Sequence, residues 1–210
     1  MIGARAFHVV PSHPSVATVA DCGVDPVPVI MATRSRRLPD ITAPGLRVLF
    51  VGINPGLRSA ALGHHFAGHG NRFWPLLHAS GLVPEPVTFA DDRRLTEWGY
   101  GLTNLVARPT AGVDDLSWSE LARGRRALVA KVRRLRPAVV ALVGLTVYRA
   151  LFPTHPRTGR ITPGESPVTL GGARIFVLPN PSGRNAHFPP ARMLEIYRQL
   201  AEVVRALERP

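Results

Sequence analysis

Residues 48–56 read Val48-Leu49-Phe50-Val51-Gly52-Ile53-Asn54-Pro55-Gly56, a short apolar run that ends in a Gly/Pro turn. A continuous apolar run between turn signals predicts a strand that is buried on both faces. Residues 138–143 (AVVALV), which Gly144 ends, show the same pattern more clearly. Strands of this kind favour a mostly parallel sheet that is covered by helices on both faces.

Further strands alternate with helices along the chain. We predict strands at 100–106 and 174–178, and helices at 71–80, 89–98, 117–136, near 147–151 and from Pro190 onward. Ser117 and Glu120 form the S-x-x-E capping signature that opens the helix at 117–136, and Pro137 ends it. The alternation predicts an α/β fold, a three-layer α/β/α sandwich with a short, mostly parallel central sheet.

The length of 210 residues, 45% of them hydrophobic, suits one globular domain with one core. Residues 1–40 carry five prolines and no sustained hydrophobic period. We therefore expect a disordered or loosely attached basic tail at 1–40 and a folded domain at 41–210, and Met31 could be the true start. The sequence has no apolar run long enough for a transmembrane helix and no secretion-signal pattern, so we expect no membrane contact and a cytoplasmic location, associated with the nucleoid in a bacterium.

The formal net charge is +12, and all but one of the 26 Lys and Arg residues are arginines. Such a basic excess indicates an anionic partner, with nucleic acid as the leading candidate, although genome composition is an alternative cause. The arginine runs at 123–126 and 133–136 are expected to be a solvated helix face, and DNA contact is the alternative. Cys22 is the only cysteine, which excludes an intramolecular disulfide framework and any four-cysteine zinc or iron–sulfur site.

Two segments with unusual polar residues follow predicted strands, at 52–56 and at 179–185. Ligands bind at the carboxyl ends of the strands in sheets of this kind, so we place the chemistry in these two loops. The first loop is neither a phosphate-binding P-loop nor a dinucleotide fingerprint, because both glycine patterns are missing. Asn54 offers one acceptor and two donors and cannot ionise, and Asn-Pro-Gly alone is also compatible with an ordinary turn.

The two loops belong to a set of five short motifs along the chain. GINPGL (52–57), GHHF (63–66) and GNRFW (70–74) come first, GLTNLVARPT (101–110) follows, and PNPSG (179–183) comes last. In this order and spacing, the set resembles the signatures of the mismatch-specific uracil/thymine-DNA glycosylases of the uracil-DNA glycosylase superfamily. The resemblance extends from Leu46 to Leu207 and implies the uracil-DNA glycosylase-like form of the sandwich.

The resemblance also implies roles for individual residues. Asn54 matches the family's water-positioning asparagine and is the implied catalytic residue, and Phe66 matches the aromatic on which a flipped base stacks. Arg184 matches the side chain that fills the gap left by the flipped base, although it could also be a solvated surface arginine. The implied base pocket consists of Ile53, Gly56, Ser59, His65, Phe66 and Asn104. The implied DNA-binding and wedge residues are Asn180, Ser182, Gly183, Arg184 and Asn185.

The function that the resemblance implies is a monofunctional DNA glycosylase, which excises uracil from mismatched double-stranded DNA by attack of water at the N-glycosidic bond. The Gly-His-His sequence at 63–65 resembles that of the thymine-type enzymes. This implies a wider range of excised bases, including thymine, ethenocytosine or other damaged bases. We expect a monomer that needs no cofactor and binds duplex DNA with a mismatched or damaged base. The alternatives are a non-catalytic binder of damaged DNA on the same fold and a preference for deaminated purines or etheno adducts.

His64, His65 and His69 also permit a metal-site interpretation. Their spacing fits no standard zinc finger, and no carboxylate or cysteine accompanies them in the sequence. We therefore assign no metal, and we expect His65 in the pocket and the other two histidines in the loop.

Overall fold

The computed structural model describes residues 37–153 and 161–207, and they form an α/β domain. The strands are β1 (Val48–Gly52), β2 (Tyr100–Asn104), β3 (Val139–Val143), β4 (Gly164–Leu170) and β5 (Ala173–Leu178). The α-helices are α1 (Leu57–Leu62), α2 (Phe73–Ala79), α3 (Trp118–Leu135), α4 (Leu145–Leu151) and α5 (Pro190–Ala206). Two 3₁₀ helices cover Phe89–Trp98 and Val113–Asp115.

The five strands form one sheet in the order β2-β1-β3-β5-β4. The pairs β1–β2, β1–β3 and β3–β5 are parallel, and only β4 runs antiparallel, against β5. The carboxyl ends of β1, β2, β3 and β5 therefore lie at one edge of the sheet, where parallel sheets bind ligands. The predicted fold class, a three-layer sandwich with a short, mostly parallel sheet, is confirmed.

Each face of the sheet carries its own hydrophobic core. One core includes Phe50 and Phe73 and joins the sheet to α2, α5 and the 3₁₀ helix Phe89–Trp98. The other includes Leu49 and Val132 and joins the sheet to α3 and α4. β1 and β3 are buried along their whole length because they lie in the centre of the sheet between both cores.

The edge strand β4 is missing from the sequence-based prediction. Its residues alternate between half-buried and exposed positions, so it lacks the continuous apolar run that marks β1 and β3. It also contains Pro167, between Ser166 and Thr169, where the register with β5 shifts. Proline cannot donate to a sheet and is tolerated at an edge or bulge of this kind.

Three residues that the prediction assigns to the tail at 1–40 contact the folded domain. Leu38 is buried, the Pro39 carbonyl lies 2.9 Å from His65 Nε2, and Asp40 bonds to Thr103. Residues 1–36 of the predicted tail lie outside the described residues. No helix in the described part of the chain is both long enough and apolar enough to cross a membrane.

Candidate active site

The loops after β1 and β2 run side by side at the carboxyl edge of the sheet. Gly52 pairs with Asn104 at the strand ends, and the N–H groups of Leu105 and Val106 continue the ladder by donating to Gly52 (2.8 Å) and Ile53 (2.9 Å). A further hydrogen bond joins the two loops, from the Thr110 N–H to the Pro55 carbonyl at 3.1 Å. The first signature loop is therefore supported along its whole length by the 105–110 loop.

The side chain of Asn54 is oriented by this neighbouring loop. Its Nδ2 donates to Thr110 Oγ1 at 2.7 Å, to the Arg108 carbonyl at 3.3 Å and to the Pro55 carbonyl at 3.2 Å. The Thr110 hydroxyl itself donates to the Gly112 carbonyl, so towards Asn54 it can only accept. The amide nitrogen of Asn54 therefore lies on the protein side, and Oδ1 is left as an acceptor that no described donor occupies.

Gly52, Asn104 and Phe66 meet where β1 and β2 end. A methyl group on Gly52 would lie 2.6 Å from Asn104 Oδ1 and 3.7 Å from Phe66 Cζ. Only glycine leaves room for the Asn104 side chain at this position. The Phe66 ring stacks on Phe73, with ring centroids 4.0 Å apart and planes 23° from parallel. One face of Phe66 is thereby fixed against the core.

Ser59 and His65 are buried and bonded to protein groups. Ser59 Oγ accepts the Ala67 N–H at 3.0 Å. His65 Nε2 lies 2.9 Å from the Pro39 carbonyl, which can only accept, so the neutral ring carries its proton on Nε2. Burial lowers the pKa of His65 below its ordinary value, and the bond to Pro39 only partly offsets this effect. Their assignment to the base pocket stays a prediction.

The second signature loop is held by its own side chains. Asn180 Oδ1 accepts the Ser182 N–H at 3.0 Å, and Asn185 Nδ2 donates to the Asn180 carbonyl at 2.7 Å. The N–H of Asn185 in turn donates to the Ser182 carbonyl at 3.0 Å. Arg184 is exposed at the tip of this loop, and its backbone N–H lies 3.4 Å from Ser182 Oγ. The loop is therefore a small turn that is stabilised by its own hydrogen bonds, with Arg184 exposed at its tip.

The GNRFW segment supports this turn from the side. The Arg72 N–H donates to the Pro181 carbonyl at 2.9 Å, and Arg72 Nη1 donates to the Ser182 carbonyl at 3.4 Å. Gly183 packs so closely on Gly70 that a Cβ at Gly183 would lie 2.9 Å from the Gly70 carbonyl oxygen. Sequence reasoning gave no role to Arg72, and these contacts join the GNRFW segment to the second signature loop.

A groove of about 1220 Å³ runs along this edge of the sheet. Its lining includes five of the predicted site residues, Ile53, Asn180, Ser182, Arg184 and Asn185. Arg149, His187 and Arg192 add to its basic character, and Asp114 is the one acidic residue that the described part of the chain contributes to its lining. Asn54 and Gly56 follow Ile53 in the loop after β1, and Phe66 and Asn104 lie next to Gly52 at the strand ends. The structure thus brings the two signature loops to one basic edge.

The described residues hold no candidate metal cluster, and the sole lysine bonds on the face of β2 opposite Asn104. Within the described ranges, no group of three or more His, Cys, Asp or Glu residues could hold a metal ion. Lys131 Nζ donates to Thr103 Oγ1 at 2.7 Å and pairs with Asp40 at 2.5 Å. Since side chains alternate along a strand, Thr103 and Lys131 lie on the face of β2 opposite Asn104.

Comparisons with known proteins identify the family to which this fold belongs. The family model of the uracil DNA glycosylase superfamily matches residues 39–201. The fold is similar to the solution NMR structure of a candidate uracil DNA glycosylase from Methanosarcina acetivorans, with a TM-score of 0.54 and 17% identity over 83% of this chain and 99% of that chain. The family match spans most of the chain and includes both signature loops. The chain belongs to the uracil DNA glycosylase superfamily.

Proposed function

We propose that this chain is a monofunctional glycosylase that flips uracil out of mismatched double-stranded DNA and hydrolyses its N-glycosidic bond, which initiates base-excision repair. Membership of the superfamily supports glycosylase chemistry in general. The preference for mismatched duplex rests on the Gly-His-His sequence and on the second loop, which resemble the thymine-type enzymes. The same features favour thymine and ethenocytosine as further substrates.

The observation that carries the proposal is the orientation of the Asn54 amide. Three acceptors hold Nδ2, so Oδ1 is the atom that can accept a hydrogen bond from water. In a dissociative reaction the base leaves as an anion with the bonding electron pair, and the sugar becomes an oxocarbenium ion. Water adds to this ion, and the proton that it loses passes to the departing base or to solvent. An amide is a poor base, so Asn54 orients this water rather than deprotonating it.

The other predicted site residues bind the base and its flanking phosphates at the same edge of the sheet. The flipped base stacks on Phe66, and the amide of Asn104 bonds to its polar edge. Backbone groups of Ile53 and Gly56 supply further hydrogen bonds to the base. Ser182 and its neighbours hold the phosphates that flank the flipped nucleotide, in the basic groove.

The reaction is expected to stop at the abasic site, because neither signature loop contains a lysine. A bifunctional enzyme needs a nucleophilic amine to form a Schiff base with the sugar. Lys131 is the only lysine of the sequence, and it is paired with Asp40 on the other face of β2. Borohydride treatment of a reacting mixture is therefore expected to trap no covalent adduct.

Substitution of Asn54 tests the proposal directly. In single-turnover assays on G·U duplex, Asn54→Ala should lower base release by about 100-fold or more, while binding of the damaged duplex persists, because water loses its orienting acceptor. Thr110→Val removes the hydroxyl that fixes the amide and should cost about 10- to 100-fold with Asn54 still in place. Thr96→Val is the matched control, since its hydroxyl bonds only to the Arg93 carbonyl of its own 3₁₀ helix.

The outcome separates the proposed enzyme from the alternatives. Unchanged release by Asn54→Ala would refute the mechanism, and a wild-type protein that binds damaged duplex without releasing any base would be the non-catalytic binder. Duplexes with G·U, G·T, ethenocytosine or hypoxanthine, each treated with alkali after incubation, define which bases are excised.

A further inference from the structure

Phe66 has an unfavourable backbone conformation in the middle of the candidate site. Its φ is +53°, and among the described residues only Arg136 is another non-glycine residue with positive φ. Arg136 follows the end of α3, where left-handed residues are common. Bulky residues rarely adopt this conformation unless the surroundings hold it, and such residues cluster at functional sites.

Both backbone polar groups of His65, the residue before Phe66, are held by side chains. The His65 N–H donates to Asp92 Oδ2 at 3.0 Å, and the His65 carbonyl accepts from Trp74 Nε1 at 3.2 Å. Asp92 belongs to the 3₁₀ helix Phe89–Trp98 and Trp74 to α2. Two separate elements therefore fix the chain where it enters Phe66.

The residue after Phe66 is held in the same way. The Ala67 N–H donates to Ser59 Oγ at 3.0 Å, and the Ala67 carbonyl accepts from Arg58 Nη1 at 3.1 Å. Both partners come from α1. Together, side chains from three helices restrain the backbone on both sides of Phe66.

Asp92 is the exceptional member of this set, because it is a carboxylate that is only 1% exposed. Burying a charge is costly unless strong hydrogen bonds compensate, and a bond from a backbone N–H to a carboxylate is of the strong kind. Its other oxygen lies 3.2 Å from His64 Nδ1, within ion-pair distance but without hydrogen-bond geometry. No described arginine or lysine pairs with it. An apolar residue would pack here at less cost, so the buried acceptor oxygen points to a specific task.

We propose that Asp92 is a positioning residue that holds Phe66 in its left-handed conformation, so that the free face of the ring receives the flipped base. This inference rests on the proposed function. Phe73 fixes one face of the ring, and the bond from His65 to Asp92 fixes the backbone from which the ring projects. Without that bond, Phe66 relaxes towards an ordinary backbone conformation, and the ring leaves its place beside Gly52 and Asn104.

A double-mutant cycle on G·U duplex tests this role. Phe66→Ala should lower the single-turnover rate by about 5- to 150-fold, the range expected for loss of base stacking. Asp92→Ala should lower it by about fivefold or more in the wild-type background, but by less than about twofold in the Phe66→Ala background, because both changes remove the same platform. Asp92→Asn keeps an acceptor oxygen for the His65 N–H and should restore the rate to within about threefold of wild type.

Asp91→Ala is the matched control, since Asp91 caps the same 3₁₀ helix through Thr88 and has no bond to the His65–Ala67 segment. It should change the melting temperature without changing the rate. If Asp92→Ala does not fold, Trp74→Phe removes the other bond to His65 and enters the same cycle.

Equal losses in both backgrounds, or full activity of Asp92→Ala, would overturn the assignment while the glycosylase function stands. A wild-type protein that releases no base from any duplex would refute the proposed function, and the assignment of Asp92 with it.

Discussion

Asn54 and Arg184 illustrate two opposite ways in which a single residue can be prepared for its task. Asn54 is partly buried, and three acceptors hold its amide. Arg184 is exposed, and its side chain forms no ion pair with any described carboxylate. A restrained amide can orient one water molecule, whereas a free guanidinium can enter a gap in a duplex and stack on the neighbouring bases.

Arg184→Ala should therefore lower activity most where the target base is well paired. Flipping costs a few kcal/mol of stacking and pairing, and a side chain that fills the vacated gap offsets part of it. We expect the largest loss on A·U duplex, a smaller loss on G·U and the smallest on single-stranded uracil. Single-turnover rates on the three substrates, each at two salt concentrations, measure this difference.

Arg126→Ala provides the comparison for charge alone, because Arg126 is exposed on α3 and its loss lowers the net charge equally. A residue that acts only through charge weakens all substrates alike and flattens the salt dependence. A uniform loss with Arg184→Ala would remove the wedge assignment.

At the scale of elements, α3 supports the loop that orients Asn54. A Cβ at Gly124 of α3 would lie only 2.3 Å from the Leu105 carbonyl oxygen, so the helix packs directly on this loop. Arg108 of the loop forms a bidentate salt bridge with Glu120 near the start of α3. Its Nε donates to Glu120 Oε1 at 2.6 Å, and its Nη2 donates to Oε2 at 3.0 Å. Arg108, together with the Ser117 N–H, lowers the pKa of Glu120 to about 2, so this carboxylate stays ionised at neutral pH.

Gly124→Ala should destabilise the domain and also slow base release. Overpacking costs about 1–3 kcal/mol, which exceeds the gain of about 1 kcal/mol from the better helix propensity of alanine. Thermal unfolding and single-turnover rates measure the two effects. Gly68→Ala serves as the control, since a Cβ there meets no atom within 4 Å. An unchanged melting temperature in Gly124→Ala would show that α3 can move away from the loop at little cost.

At the scale of the whole molecule, the parallel topology collects loops from four strands at one edge. Within the described part of the chain, Pro39 is bonded to His65 of the candidate site, and the family match begins at residue 39. The N-terminal segment contributes no motif and no hydrophobic period, so its removal should leave both the fold and the activity in place.

Deletion of residues 1–30 should change the melting temperature by less than about 2 °C, since about 1 kcal/mol corresponds to about 2–4 °C in a domain of this size. Specific activity on G·U duplex should stay within about twofold. Deletion of residues 1–40 is the matched comparison and should destabilise the domain, because it removes buried Leu38 and the bonds from Pro39 and Asp40. A large loss with the shorter deletion would reveal a packed element before residue 31.

The sequence by itself determined the parts of this protein that depend on neighbouring residues. β1 is found at the residues predicted, 48–52, because a continuous apolar run must be buried wherever it lies in the fold. The capping box of Ser117 and Glu120 is formed as predicted, since both partners lie within one turn of helix. The order of the motifs likewise indicated the superfamily before any contact was known.

Only the tertiary structure decided what depends on distant residues. Thr110 orients Asn54 across 56 positions of sequence, and Asp92 holds His65 across 27. No hydrophobic period or local motif marks such pairs, because they depend on which strands become neighbours and on where the following loops return. The left-handed conformation of Phe66 and the antiparallel edge strand β4 also depend on residues that are distant in the sequence. In each case, long-range packing overrides or replaces the local preference of the chain.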